Sequence, residues 1–451
     1  MSEELIGREV MFSECKNVKA DELKKDDIYK STGFYQEKGV ERCRRCNTAI
    51  VEIEHNECTC GQPCTYCTNC LQMGKVSRCT TFYHISEKND FQKSIRPHLK
   101  WEGTLSDQQK QASEDILRSI KNNEHCLLWA VAGAGKTEML FPGIEHALKE
   151  KKRVGIASPR VDVCLELAPR IQQAFPSISV SVLYGASEEA YRYTQIVVAT
   201  THQLYRFKEA FDLLVIDEID AFPFRLDKSL HFAVEKARKK GSSLIFLTAT
   251  PDRADQKKIQ QGKINACILP ARYHGYPLPV PRMVRERNWK KSLLKRVEVT
   301  KVYGEMKKRL EQKRRFMVFL PNINWMTRFS QVLANRFPTK RFESVHSQDD
   351  QRKEKVQMMR EKKLDFILTT TILERGVTFE AIDVFVVGAD DRTFTESALV
   401  QIAGRVGRSP KYPTGDVFYF HDGSTKPIKR AIKQIKTMNK MANQRGLLKN
   451  D

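Results

Sequence analysis

A glycine-rich stretch that ends in lysine and threonine is the feature of this 451-residue sequence with the clearest chemistry. It follows an aliphatic run, and its residues are Ala132, Gly133, Ala134, Gly135, Lys136 and Thr137. Small residues let backbone N–H groups wrap phosphates, while the lysine reaches the β and γ oxygens and the hydroxyl binds magnesium. The usual pattern has a glycine where this sequence has Ala130, so the match is incomplete. We predict that this loop binds ATP and Mg²⁺.

Two carboxylates at the end of a second aliphatic run suggest the other half of a nucleotide hydrolase. The run Leu213–Ile216 leads directly to Asp217 and Glu218. In such sites one carboxylate holds magnesium, here Asp217 together with Thr137, and the next polarises the attacking water. The pair is common at strand ends and gains weight from its position downstream of the lysine-containing loop.

A third group of polar residues lies far along the chain, in the stretch Gln401–Arg408. Arg405 and Arg408 are three positions apart, so we expect them on one face of a helix. Both arginines would then be able to stabilise negative charge on a γ-phosphate. The alternative is a basic helix that faces solvent or DNA.

The cysteines form a cluster. The chain has twelve, and eight of them lie between Cys43 and Cys79, which in a reducing compartment indicates a metal site. Two Cys-x-x-Cys pairs have the spacing of a structural zinc site, and these are Cys43, Cys46, Cys67 and Cys70. Cys64 and Cys67 form a competing pair, and His55 is a further candidate ligand. The remaining thiols are expected either to hold a second zinc or to be free, and they are Cys58, Cys60, Cys64 and Cys79.

The elements that must position these residues are alternating aliphatic runs and amphipathic stretches, the pattern of parallel α/β sheets. Five such runs fall between residues 127 and 247 and five more between 316 and 420, with a proline-rich break at 270–281. The sequence therefore predicts a cysteine-containing region at 1–100 and two α/β domains at 101–280 and 281–451.

Charge and hydropathy limit the class of binding partner and the location that the sequence predicts. Lysine and arginine number 77 against 55 acidic residues, a net charge of +22, which favours a polyanion such as nucleic acid over a merely basic surface. Residues 282–315 alone carry 14 basic side chains and four glutamates. No apolar run approaches the ~20 residues of a membrane span, and residues 1–10 do not form a secretory signal. We expect a cytoplasmic protein.

Seven stretches in order resemble the motifs of superfamily 2 helicases: Gly133–Thr137, Ser158–Arg160, Thr200–His202, Asp217–Asp220, Thr248–Thr250, Thr369–Gly376 and Gln401–Arg408. The resemblance implies two tandem RecA-like domains. It also implies catalytic roles for Gln401, Arg405 and Arg408, a nucleotide contact at Gly376, and adenine recognition by Gln109, for which Gln108 competes. Thr248 and Thr250 would couple hydrolysis to movement. The implied contacts with the DNA backbone are Ser158, Arg160, Thr200, Thr201, Thr369 and Thr370.

A narrower resemblance is to the ComFA family of competence helicases, carried by the stretches 66–74, 129–139 and 217–224. Residues 272–279 also resemble a linker shared with primosomal restart helicases. The family resemblance implies an ATP-driven translocase on single-stranded DNA at the cytosolic side of an uptake channel in the membrane. It further implies a phosphoribosyltransferase-like competence protein and a recombination mediator as partners. An oligomer and a peripheral position at the inner face of the cell membrane stay open.

Three alternatives remain beside this prediction. A replication-restart or repair helicase would separate duplex DNA and would need a wedge hairpin or an additional duplex-binding domain. A DNA-binding adaptor could use ATP as a switch without motor activity, although it would not need the full hydrolytic set of residues. RNA is a third option, because contacts with the sugar-phosphate backbone do not by themselves exclude a 2′-hydroxyl.

Overall fold

The computed structural model describes residues 2–51, 58, 60–92, 99–185, 187 and 190–449. The chain divides into two compact units, one of residues 1–129 and 136–267, the other of residues 130–135 and 268–451. His55, considered above as a zinc ligand, lies outside the described residues. The domain boundaries at residues 100 and 280 stay predictions.

The N-terminal part of the first unit is built from short strands. The strands are β1 (Glu9–Met11), β2 (Tyr29–Thr32), β3 (Phe34–Glu37), β4 (Val40–Cys43) and β5 (Thr81–His84). Strand β5 pairs antiparallel with both β1 and β2, and β3 forms a hairpin with β4. A 3-10 helix, Thr68–Met73, carries part of the cysteine cluster.

The rest of the first unit surrounds a sheet that, in the described residues, has seven strands in the order β12-β6-β11-β10-β7-β9-β8. The pairings from β6 to β8 are parallel. Burial of both faces explains the unbroken aliphatic runs of the central strands. The strands are β6 (Cys126–Ala130), β7 (Val154–Ser158), β8 (Val180–Leu183), β9 (Ile196–Thr200), β10 (Phe211–Ile216), β11 (Arg238–Thr248) and β12 (Ala266–Leu269). The helices are α1 (Asp107–Lys121), α2 (Lys136–Lys149), α3 (Val161–Ala174), α4 (Lys228–Ala237) and α5 (Arg253–Gln260).

The second unit has its own parallel sheet, with six strands among the described residues in the order β13-β18-β17-β14-β16-β15. Phe316 stacks between Phe366 and Phe385 in its core. The strands are β13 (Arg282–Arg285), β14 (Arg315–Phe319), β15 (Phe342–Val345), β16 (Phe366–Thr369), β17 (Ile382–Val387) and β18 (Val417–His421). The helices are α6 (Trp289–Lys295), α7 (Lys301–Glu311), α8 (Ile323–Arg336), α9 (Arg352–Arg360), α10 (Glu396–Ala403) and α11 (Lys426–Gln444).

The predicted fold class is confirmed: two parallel α/β sheets follow a cysteine-containing region. The basic stretch 282–315 folds into β13, α6 and α7, and twelve of its 14 basic side chains are exposed. Arg309 is the buried exception, and it donates to Asp383 and Asp416 at 3.0 and 2.8 Å. Among the described helices, none is both long enough and apolar enough to cross a membrane.

Candidate active site and metal centre

The first unit brings Lys136 and Asp217 into contact. Lys136 is the first residue of α2, and Asp217 directly follows β10. The Nζ atom of Lys136 lies 3.2 Å from Oδ1 of Asp217. Strand β10 is central and pairs in parallel with β7 and β11, and ligands of such sheets bind at the carboxyl ends of the strands. The residues predicted to hold phosphate and magnesium therefore lie together at that end.

Three carboxylates act on Lys136 together. Burial alone would lower the pKa of Lys136, but Asp217, Glu218 and Asp220 outweigh it, so that the pKa is raised. The ammonium group therefore stays charged, as phosphate binding requires. Because one lysine faces three carboxylates, net negative charge remains, and this favours a divalent cation. Thr137, buried beside Lys136, and Asp217 offer the oxygen ligands that magnesium prefers.

The next two acidic residues have different surroundings. Glu218 has a φ angle of 56°, in the left-handed region that a residue with a side chain adopts at an energetic cost. Asp220 accepts hydrogen bonds from the hydroxyls of Thr248, at 2.8 Å, and Thr250. The two threonines predicted to couple hydrolysis to movement thus contact the carboxylate cluster directly.

The loop between β6 and α2 has a backbone that its glycines permit. Gly133 and Gly135 have φ angles of 85° and 74°, which other residues rarely adopt. The two glycines alternate with Ala132 and Ala134, so no large side chain occupies the loop. Residues 130–135 group with the second compact unit, whereas Lys136 and Thr137 group with the first.

Arg272 is a residue to which sequence reasoning gave no role. It is fully buried in the second unit, and its Nε atom donates to the carbonyl oxygen of Ala132 at 3.2 Å. Its other nitrogens donate, at 2.5–3.1 Å, to the carbonyl oxygens of Gly404, Val406 and Gly407. One guanidinium thus fixes loop 132–135 to the turn at 404–407 that precedes Arg408. In the sequence, the feature that could have drawn attention to Arg272 was the stretch 272–279, which resembles a helicase linker.

The two arginines of the third motif are not on a helix, so that part of the prediction is wrong. Helix α10 ends at Ala403, Arg405 lies in the turn that follows, and Arg408 comes directly after that turn. Arg405 is buried and donates to the carbonyl oxygens of Glu374 and Val377, on either side of Gly376. Arg408 is half-exposed, and its Nε donates to Gly404 at 3.0 Å. Glycine at position 407, with a φ of 68°, ends the helical path.

Two glutamines stand beside these motifs. Gln109 is buried at the start of α1, where its Oε1 atom accepts a hydrogen bond from the backbone N–H of Ser106 at 2.8 Å. This reciprocal cap orients the Gln109 side chain. Gln401 is buried within α10. Their roles toward nucleotide stay predictions.

The side chains predicted to touch DNA follow strand ends, but most are buried. Ser158, Thr200, Thr201 and Thr369 have little or no exposure, and the Thr369 hydroxyl donates within its sheet. A DNA contact at these positions would have to use backbone groups. The half-exposed members of the predicted set are Arg160 and Thr370.

The cysteines separate into two groups of four, within each of which all Sγ atoms lie within 4.8 Å of one another. Cys43, Cys46, Cys67 and Cys70 form the buried group, as the spacing predicted. The Sγ atoms of Cys43 and Cys70 are 3.7 Å apart, and those of Cys46 and Cys67 are 3.5 Å apart. A tetrahedral zinc with Zn–S bonds of ~2.3 Å has sulfur–sulfur edges of ~3.8 Å, so this group fits zinc.

The buried cysteine group is part of a larger core. Its members pack in the same hydrophobic cluster as Leu204, Tyr205 and Leu230 of the first parallel-sheet domain. The amide of Asn69, between two of the cysteines, donates to Ser229 Oγ at 3.2 Å. The buried cysteine group and the domain that carries Lys136 and Asp217 are therefore packed as one body within this unit.

Comparison with protein families agrees with this geometry. Residues 1–84 match the family model of the competence protein ComFA N-terminal domain. Residues 102–253 match that of the type III restriction enzyme, res subunit, and residues 289–410 that of the helicase conserved C-terminal domain. Together these models cover the cysteine groups and most strands of both parallel sheets, leaving out β12, β13 and β18.

Individual proteins give the same result. The chain is 44% identical to the competence protein ComFA of Bacillus subtilis, over 89% of this chain and 86% of that protein. It is 41% identical to ComFA of Streptococcus pneumoniae, over 90% of this chain and 92% of that protein. Among solved structures, S. cerevisiae Dbp5 bound to RNA and ADP BeF3 matches with a TM-score of 0.53 at 14% identity, over 74% of this chain and 88% of Dbp5, which shows the fold alone.

The two helicase-type models and the ComFA relatives also define the enzyme class, a DNA-dependent ATPase of superfamily 2. With both ComFA proteins matched over about nine-tenths of the sequence, the chain belongs to the ComFA family of competence proteins.

Proposed function

We propose that the protein is a translocase that uses ATP to move along single-stranded DNA during DNA uptake in natural transformation. The observation that carries the proposal is the contact between Lys136 and Asp217 at the carboxyl end of the first sheet, in a chain of the ComFA family. The family supplies the competence context, and the contact supplies the hydrolytic site.

In this proposal the residues around Lys136 bind ATP and magnesium. The backbone of loop 132–135 and the Lys136 ammonium hold the phosphates, while Thr137 and Asp217 hold magnesium. Bound magnesium would neutralise charge that develops on the phosphates. Glu218, next to Asp217, accepts a proton from the attacking water. Lys136 must exchange Asp217 for phosphate oxygens when nucleotide binds.

Hydrolysis at a cleft between the two RecA-like domains would make the site a motor. Lys136 and the carboxylates belong to one compact unit, and Arg408 belongs to the other. Of the two motif arginines, Arg408 is the better candidate for a contact with the γ-phosphate, because Arg405 is committed to backbone carbonyls. Arg405 then acts as a positioning residue for the turn that contains Gly376.

Zinc and binding partners complete the proposed function. The buried cysteine group would hold a structural zinc, because four thiolates leave no open coordination position. Single-stranded DNA would be bound through its backbone, with Arg160 and Thr370 as the half-exposed contacts. A phosphoribosyltransferase-like competence protein, a recombination mediator and the uptake channel are proposed partners on family grounds only.

Steady-state ATPase activity of the purified chain tests the proposal. It should be measured at one fixed salt concentration with no nucleic acid, single-stranded DNA, duplex DNA and single-stranded RNA. We expect strong stimulation by single-stranded DNA only. Lys136→Ala should lower turnover by about 10³-fold, or ~4 kcal/mol, and retain DNA binding.

The other outcomes separate the alternatives. Equal or greater stimulation by duplex DNA would favour a restart or repair helicase, and stimulation by RNA would change the substrate class. Hydrolysis that no nucleic acid stimulates would favour the ATP switch. Normal turnover in Lys136→Ala would contradict the site itself.

A further inference from the structure

The second group of four cysteines has no role in the function proposed above. Cys58, Cys60, Cys64 and Cys79 come from separate points of the chain, yet all four Sγ atoms lie within 4.8 Å of one another. The group differs from the first in exposure, because Cys60 and Cys79 are exposed and Cys58 is half-exposed.

The backbone brings two of these cysteines face to face. Residues 65–67 and 76–78 run antiparallel, and the N–H of Arg78 donates to the carbonyl oxygen of Thr65 at 3.0 Å. One residue further along each strand, the same register places Cys64 opposite Cys79. Directly opposed residues of an antiparallel pair have Cβ atoms ~5 Å apart, so their thiols can meet at one metal.

A tight turn supplies the other two thiols. The N–H of Gly61 donates to the carbonyl oxygen of Cys58 at 2.9 Å, and Gly61 has a φ of 77°. This turn keeps Cys58 and Cys60 close together, and the Sγ atom of Cys58 lies 3.5 Å from that of Cys79. Glycine after a Cys-x-Cys pair allows the chain to bend around a ligand.

The distances match a metal better than any direct bond between the thiols. A disulfide requires sulfur atoms ~2.05 Å apart, well below the 3.5 Å observed. The edge of a tetrahedron of sulfurs around zinc is ~3.8 Å. This value lies between the 3.5 Å that separates Cys58 from Cys79 and the 4.8 Å within which all four Sγ atoms lie. We propose that Cys58, Cys60, Cys64 and Cys79 form a second zinc site, with four thiolate ligands and a structural role.

The order of the ligands along the chain connects the two sites. Cys67 and Cys70 of the buried group lie between Cys64 and Cys79 of the exposed group. Metal at the exposed site would therefore close a loop that contains half of the buried site. Closing that loop restricts the unfolded chain and favours the arrangement the buried site needs.

The test is a metal count on the full-length chain produced with zinc. We expect two zinc ions per chain for the wild type and one for Cys58→Ser/Cys79→Ser. The matched control is Cys15→Ser, a half-buried thiol outside both groups, which should keep two. One zinc per chain in both the wild type and the double variant would overturn the proposal.

Two further measurements do not depend on the fate of the variant. A chromogenic chelator added to wild-type protein should remove one zinc quickly, from the exposed group, and the other at least tenfold more slowly. Before chelator is added, a thiol reagent should leave Cys60 and Cys79 unmodified. Immediate modification of these exposed thiols, together with a single phase of zinc release, would show that they are free.

Discussion

Two of the clusters of carboxylates and cations in the first compact unit differ in their balance of charge. At the proposed ATP site, three carboxylates, Asp217, Glu218 and Asp220, act on Lys136. Where the N-terminal region packs on the sheet, Glu9 is nearly inaccessible and contacts two lysines, Lys208 at 3.1 Å and Lys236 at 2.9 Å.

The packing contact has more ion pairs of the same kind. Glu14 accepts from Arg206 at 2.8 Å and from the fully buried Arg45 at 2.5 Å. Two carboxylates face four cations in these contacts, and each carboxylate oxygen has a cationic partner. Such a cluster fixes one packing arrangement and leaves no carboxylate oxygen free for a metal cation.

The difference in charge balance indicates that the two clusters have different roles. Excess carboxylate beside Lys136 costs stability in the absence of ligand, and a bound divalent cation would reduce that cost. We therefore expect substitutions at the two clusters to have different effects. Substitutions beside Lys136 should change turnover with little loss of stability, whereas substitutions around Glu9 should change stability with little loss of turnover.

The largest effect is expected for Glu218→Gln. Loss of the carboxylate that accepts a proton from water should lower the ATPase rate by about 10³-fold, or ~4 kcal/mol. The free energy of unfolding should stay the same or rise, because one of the like charges is removed. ATPase assays and urea unfolding measure the two quantities. Glu150→Gln, at an exposed glutamate, is the matched control and should change neither.

Glu9→Gln should give the opposite result. Removing the charge leaves Lys208 and Lys236 without their shared carboxylate in a buried contact, which should lower the free energy of unfolding by ~3 kcal/mol. ATPase activity per folded molecule should remain within about twofold. Urea unfolding is the measurement, with Glu3→Gln at an exposed glutamate as the control. Loss of turnover without loss of stability would break the comparison.

The pH dependence of unfolding refines this prediction. Burial would raise the pKa of Glu9, but Lys236 and Lys208 outweigh it and lower the pKa to about 2. A carboxyl with a lowered pKa stabilises the fold above its unfolded pKa of ~4.3, and that contribution is lost as the pH falls toward 2. The difference in unfolding free energy between wild type and Glu9→Gln should thus be constant above pH ~5 and shrink below it. A difference that does not depend on pH would point to lost packing instead of lost charge.

The sequence predicted that Lys136 and Asp217 lie together because the features that place them are local. The lysine follows the loop directly, Asp217 follows its strand directly, and a parallel sheet brings both ends together. The position of Arg405 was predicted less well, since the end of α10 is set by the turn at 404–407 and by bonds to Glu374 and Val377. Spacing alone does not reveal those distant carbonyls.

The packing cluster could not be predicted at all. Glu9 and its lysines are about 200 residues apart, and none belongs to a motif. The cysteines are an intermediate case. Spacing identified the buried group, but the division of Cys64 and Cys67 between two groups depends on the antiparallel register at Tyr66 and Ser77.

The smallest effect is expected at the edge of the ATP cluster, for Thr248→Val. This nearly isosteric change removes the 2.8 Å hydrogen bond to Asp220 and should cost about 1 kcal/mol of stability. Because Thr250 still donates to Asp220, basal ATPase should stay within about threefold. Stimulation by single-stranded DNA should fall more than the basal rate if Thr248 couples hydrolysis to movement. Thr248→Ser, which keeps the hydroxyl, should restore stimulation. Equal loss of stimulation in both variants would show that Thr248 acts through packing, as Glu9 does.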